Sequence, residues 1–199
     1  MKVKFILKDK ILRLLILFGL AIISINVFWV LSSPTTDLPV LGKLPEFKLI
    51  DQSGDKFSLV NLKGKIWVAD FIFTTCAGPC PVMTSQFADI QHHFFNEKDV
   101  NLLSISVNPE YDAPPILIEY GDHYDANYDR WVFLTGDREE IHRLAAEGFH
   151  IGSMENPVFH STRFVLLDKN ARIRGYYISS ELEEMQRLWS DIVRLTTET

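Results

Sequence analysis

The segment "KIWVADFIF", residues 65–73, is an almost unbroken run of apolar, β-favouring residues. A strand with one wet face alternates apolar with polar side chains. A run without alternation has to be covered on both faces. Cover on both sides of a sheet means layered packing of helices against strands. The run leads straight into "TTCAGPCPVM", which holds Cys76 and Cys80, the two cysteines of the 199-residue chain.

The remaining segments supply that cover. "EFKLIDQSGDKFSLV" reads as a hairpin around Ser53-Gly54-Asp55. From Met83, apolar residues at 83, 87, 90 and 94 form a helical stripe. "NLLSISV", 101–107, is a second buried strand, and "PPILIEYGDHY" starts with prolines suited to a first helical turn. "RWVFLT" is a third strand, followed by "DREEIHRLAAEG", a helix with a glycine stop. "TRFVLLDKNARIRGYYI" is a hairpin around Asp168-Lys169-Asn170. The last helix carries Leu182, Met185, Leu188, Ile192 and Leu195 at helical spacing. Strands alternating with helices give an α/β domain. The thiols then fall between a buried strand and the next helix, at the carboxyl end of the sheet where ligand sites form.

The amino-terminal segment is built differently. "MKVKFILKDKILR" carries five bases and one acid, and residues 14–31 contain no charge. At ~1.5 Å per residue that stretch is about long enough to cross a hydrocarbon core of ~30 Å. The basic flank predicts a cytoplasmic amino terminus and an extracytoplasmic domain. A cleaved signal peptide would leave the domain in the same place, but "WVLSSPT" is a poor cleavage site. The tail also lacks the composition of a transit peptide, which points to a bacterial plasma membrane. The expected division is a basic tail and transmembrane anchor over 1–31, a Ser/Thr/Pro-rich linker over 32–44, and one domain over 45–199. The whole chain carries −6; with +4 on residues 1–13, the remainder carries −10. Such a domain repels phosphate backbones, so a nucleic-acid partner is not expected, whereas cations and basic partners are tolerated.

Cysteines four residues apart share a helix face, with Cβ atoms about 5–6 Å apart. A slightly unwound turn brings two sulfurs to ~2.05 Å for a disulfide, or both onto one metal at ~2.3 Å. Gly78-Pro79 bends the loop, and Pro81 is expected to keep the helix that begins near Met83 from continuing back through that loop. A helix amino terminus nearby favours the thiolate. A purely structural bridge closing so short a loop removes little unfolded-state entropy. A redox pair and a metal site both remain open. A metal needs a third donor. His92 and His93 lie on a polar helix face, His123 and His142 on polar or mixed helical stretches, and His150 in a loop. His160, in "NPVFHSTRFVLLD", precedes the strand that starts near Arg163, and the pattern leaves its role open. Met83 fits the core stripe of its helix, while Met154 remains a possible soft donor. "DANYDRWVFLTG" begins like an EF-hand loop but has Arg130 and Gly136 where the loop needs Gly and Glu, so calcium is not expected.

Four segments, "DFIFTTCAGPCPVMTSQF", "SISVNPEYDAPPILIEYGDHY", "RWVFLTGDREEIHRLAAEGF" and "VFHSTRFVLLDKNARIRGYY", together resemble the Sco/SenC family of membrane-anchored copper chaperones. The resemblance spans residues 45–195. It implies a thioredoxin-like domain with a central mixed sheet flanked by helices. It implies Cys76, Cys80 and His160 as ligands of copper, as Cu(I), Cu(II) or both. It also implies a role in assembling the binuclear copper centre of cytochrome c oxidase subunit II, or of another copper or thiol protein, by copper delivery or thiol reduction. Many members carry Asp before the histidine; Phe159 stands there in this chain, and Glu155 is the nearby replacement. Carboxylates behind a ligand imidazole orient it and raise its basicity. Asp70, inside the apolar strand, is either a buried proton acceptor for a cysteine or an edge residue. The alternative reading is a membrane-anchored thiol–disulfide oxidoreductase with no stable metal, using Cys76 and Cys80 as attacking and resolving thiols. A peroxidase-like enzyme ranks behind both, with Arg163 its only candidate arginine.

Overall fold

The computed structural model describes residues 37–152 and 161–198, with Gly19, Ile22 and Ser24. The anchor expected over 14–31 and the segment carrying Met154, Glu155, Phe159 and His160 lie outside the described residues. Among the described residues no helix is long and apolar enough to cross a membrane. The chain divides into two units, Met1–Thr36 and Asp37–Thr199, and the elements described below all belong to the second.

Eight strands form one sheet in the order β1-β8-β7-β4-β5-β6-β2-β3. These are β1 (Gly42–Lys43), β2 (Lys48–Asp51), β3 (Lys56–Ser58), β4 (Ile66–Ile72), β5 (Val100–Ser106), β6 (Trp131–Thr135), β7 (Arg163–Leu167) and β8 (Arg172–Ile178). β4 runs parallel to β5, and β5 to β6; all other pairs are antiparallel. The sheet is therefore mixed, as the resemblance implied. β4 sits near its centre and every one of its residues is buried, which is why the segment shows no alternation in sequence.

Side chains of β4 still alternate between two core layers. Ile66, Val68 and Ile72 join the layer that holds Cys76, Cys80, Met83 and Phe87. Trp67, Ala69 and Phe71 join the other, with Leu62, Ile141, Leu144 and Phe149. The first layer is covered by α2 (Cys80–His93), α3 (Pro114–Asp122) and α5 (Leu182–Thr197); the second by α1 (Leu59–Leu62) and α4 (Arg138–Arg143).

Four local expectations change. The helix expected from Met83 begins at Cys80, with Pro81 in its first turn. Proline is tolerated there because the first helical N–H groups have no intrahelical acceptor to lose. The helix over "DREEIHRLAAEG" starts on Asp137, whose side chain accepts from the Glu140 N–H, but widens into a π turn over Leu144–Gly148. That turn seats Gly148 against Pro45, where a Cβ would stand 3.0 Å from Pro45 Cδ. Leu182, counted in the apolar stripe of the last helix, is its first residue and is exposed. Residues 37–44, read as the end of the linker, pack on the domain: Leu38 and Leu44 are buried and β1 pairs with β8.

Candidate thiol and metal site

β4 delivers the chain to the carboxyl end of the sheet, and the Cys76 N–H donates to the Phe73 carbonyl at 3.1 Å to turn it. Cys76 lies in the loop and Cys80 at the first position of α2. Both are free thiols and both are buried, at 7% and 3% exposure. The Gly78 N–H donates to Cys76 Sγ at 3.4 Å. A Cβ at Gly78 would meet only this sulfur, at an ordinary contact distance of 3.7 Å, so the position lies beside Cys76 and is otherwise open.

This arrangement divides the two thiols by chemistry. Burial opposes ionisation of Cys76, but the Cys80 N–H, the Cys80 thiol and the Gly78 N–H all serve its sulfur and hold it below the usual range. Burial pushes Cys80 up to about 12, and the Cys76 sulfur and the Asp70 carboxylate reinforce the rise. Cys76 is the more readily ionised of the two thiols. Cys80 is the proton-holding partner.

Asp70 is one of the two residues around the thiols that the sequence left ambiguous or unremarked. It falls between Val68 and Ile72 in the β4 alternation, so it faces the layer containing both thiols. It is fully buried, neither carboxylate oxygen makes a close hydrogen bond among the described residues, and burial raises its pKa from 3.8 to about 7. Ser104, in register with it on β5, relieves only part of that cost. Of the two readings open from sequence, the edge position is excluded. Asp112 went unremarked. It is fully buried and accepts from the Thr74 N–H at 3.1 Å, the Thr74 hydroxyl at 2.5 Å and the Ser106 hydroxyl at 2.5 Å. It thereby ties the loop after β5 to the residue two before Cys76. The available signal was position: the loop after β5 emerges at the same sheet end as the thiols. On the other side, Thr84 Oγ1 donates to the Cys80 carbonyl at 2.8 Å and lies 2.7 Å from the Tyr120 hydroxyl. α3 is thus linked to the first turn of α2.

Met83 is fully buried in the core, as its spacing predicted. His92 and His93 are exposed, and the His93 ring meets Trp189 edge-on. His123 is exposed with Nδ1 2.6 Å from the Glu119 carbonyl. The EF-hand-like loop serves a different purpose. Arg130, where calcium loops need glycine, donates to the carbonyls of Phe94, Phe95, Glu97 and Val100 and closes the end of α2. Gln91 accepts from the Asn127 N–H at 2.7 Å and donates to the Asp125 carbonyl.

The family model described as SCO1/SenC matches residues 41–197. The chain belongs to the SCO1/SenC family. The SCO1 protein homolog of Bacillus subtilis is 33% identical over 165 residues, 80% of this chain and 86% of that protein. The structure of BsSco, described as a member of the Sco family of cytochrome c oxidase assembly proteins with a disulfide switch, superposes with a TM-score of 0.71 at 32% identity, covering 82% of this chain and all of that one. ScoI of Arabidopsis thaliana, solved with copper bound, has a TM-score of 0.62 at 25% identity, covering 76% and 98%. The mixed sheet with helices on both faces is the thioredoxin-like arrangement of this family.

The donors present suit copper. Two adjacent sulfurs, one held toward the thiolate, are soft ligands of the kind that select Cu(I). Among the described residues no group of three or more His, Cys, Asp or Glu is placed to hold a metal ion. His160, the third donor implied by the resemblance, lies outside the described residues.

Proposed function

We propose that this chain is a membrane-tethered copper metallochaperone that holds copper on Cys76, Cys80 and His160 on the extracytoplasmic side and serves the binuclear copper centre of cytochrome c oxidase subunit II. The observation that carries the reading is the thiol pair itself: two free, adjacent sulfurs at the carboxyl end of the sheet, the outer one supported by N–H donors. Copper, when bound, supplies a soft Lewis-acidic ion for transfer. The residues of the chain do the rest. Cys76 presents the available thiolate. Cys80 gives up its proton as the second sulfur donor. The Asp112–Thr74 tie fixes the strand end from which the loop springs. Conversion of the pair to a Cys76–Cys80 disulfide removes both sulfur donors, so redox state gates loading. The linker composition and the uncharged run over 14–31 support the tether.

The decisive experiment is titration of the reduced full-length protein, in a non-ionic detergent, with Cu(I) against a competing chelator. The expected result is one copper bound tightly per chain, with binding lost in Cys76→Ser and strongly weakened in His160→Ala. Equal competition by wild type and both variants would sink the copper reading.

The division of roles between the thiols favours a second reading, thiol–disulfide exchange with the client. A thiol held below its usual range beside one pushed well above it is the arrangement an attacking and a resolving cysteine need. His160→Ala separates the two readings, because exchange does not require the imidazole.

A further inference from the structure

A cleft of about 340 Å³ opens beside the thiol loop, between that loop and α3. Thr74 and Thr75, the two residues before Cys76, form one side; Tyr111, Tyr120, Tyr124 and Glu119 form much of the other. The cleft is held rigidly to the thiols at two points. Asp112, next to Tyr111, clamps Thr74. Tyr120 meets Thr84, which donates to the Cys80 carbonyl. The Tyr120 hydroxyl is occupied in that contact, so the ring is what Tyr120 offers the cleft. It packs on Tyr124 with centroids 5.2 Å apart. Tyr111 is 54% exposed. Glu119 is exposed, and among the described residues its carboxylate has no hydrogen-bond or ion-pair partner.

Tyrosine rings beside an unpaired carboxylate form a receptor for a cation. The ring quadrupole attracts positive charge and the carboxylate completes the pairing. The −10 carried by residues 14–199 draws cationic surfaces toward the domain in the same sense. We propose that this tyrosine-lined cleft seats a client polypeptide segment that carries Lys or Arg beside its reactive cysteine, the cation lying against Glu119 and the tyrosines while the client sulfur reaches Cys76. The inference rests on the reading that Cys76 and Cys80 act on the thiols of another protein. In the covalent step the Cys76 thiolate attacks the sulfur of a client disulfide. A new S–S bond forms, and the departing client sulfur takes the bonding pair as a thiolate. Cys80, losing its proton to solvent, then attacks Cys76. The second client cysteine leaves as a thiolate, and the two electrons gained by the client disulfide, one per sulfur, are those lost by Cys76 and Cys80 in forming their disulfide.

The test uses short peptides Ala-Lys-Cys-Ala, Ala-Ala-Cys-Ala and Ala-Glu-Cys-Ala, each capped on cysteine as the mixed disulfide with nitrothiobenzoate. That low-pKa thiol is the better leaving group, and its release is read by absorbance. Rates are measured with the reduced full-length protein in a non-ionic detergent. The expected result is a Lys peptide about fivefold faster than the Glu peptide, the size of one partly exposed ion pair with aromatic support. That ratio should fall toward one in Glu119→Gln, drop in Tyr111→Leu, and shrink at about 0.5 M salt. Glu139→Gln, on the helix covering the opposite sheet layer, should preserve it. Equal rates for the three peptides in wild type would overturn the cleft proposal, as would a ratio that Glu119→Gln leaves intact or that both Gln variants lower alike. Release from none of the peptides would overturn thiol reactivity itself, and with it the inference.

Discussion

Asp70 shows how a single residue can cost stability to keep a site electrically tuned. Its carboxylate is fully buried with only partial relief from Ser104 on the neighbouring strand, and burial sets its folded pKa at about 7, above the ordinary 3.8. The folded state therefore favours the protonated form. The cost is absent below about pH 4, grows as pH rises through the folded value and is constant above it. Above pH 7 it amounts to about 4 kcal/mol as an upper figure. Asp70→Asn should therefore raise the urea midpoint of the reduced protein at pH 8 and leave it nearly unchanged at pH 4. A variant less stable than wild type at pH 8 would mean that the carboxylate is satisfied in solution after all. The presence of an acid in β4 was legible from the sequence. Its orientation was not, because a strand buried on both faces offers no wet side against which to fix the alternation.

At the scale of the element, the thiol loop depends on a neighbour remote in sequence. The Gly-Pro bend, the strand before it and the apolar stripe after it could be read locally. Pro81 misplaced the helix start by three residues, because a proline signals both the end of permissible helix and its first turn. The clamp by Asp112 could not be read locally, since it acts across 38 positions between residues that meet only when β4 and β5 pair. Asp112→Ala would leave the Thr74 N–H and the Thr74 and Ser106 hydroxyls without their acceptor. The expected destabilisation is about 3 kcal/mol, with Asp112→Asn intermediate, as read from urea denaturation. A loss below about 0.5 kcal/mol would show that water replaces the carboxylate at no cost.

At the scale of the whole molecule, the first and last residues of the domain are fastened through one side chain. Arg174, on β8 and 2% exposed at its side chain, pairs with Asp168 and Glu198 and donates to the carbonyls of Leu38 and Pro39. Glu198 in turn accepts from the Leu38 N–H at 3.2 Å. Arg174→Met would strand buried acceptors and carboxylates and should cost about 3–5 kcal/mol. Limited proteolysis should then cut first near Leu38–Lys43; unchanged cleavage there would show that β1 pairing alone holds the segment. This fastening explains why composition marked 32–44 as linker although its last residues belong to the domain. Pro, Thr and Ser counts report local flexibility, and they are silent about an arginine some 135 positions away. By itself the sequence determined the α/β class, the order of the principal elements and the place of the two thiols. Those follow from local hydrophobic periodicity and from the rule that sites gather at strand carboxyl ends. Only the tertiary structure decided which way Asp70 faces, that Asp112 holds the thiol loop, and that a tyrosine-lined cleft lies beside Cys76. Each of these depends on which buried groups from distant segments meet when the sheet closes, and unpaired polar groups leave no periodic trace along the chain.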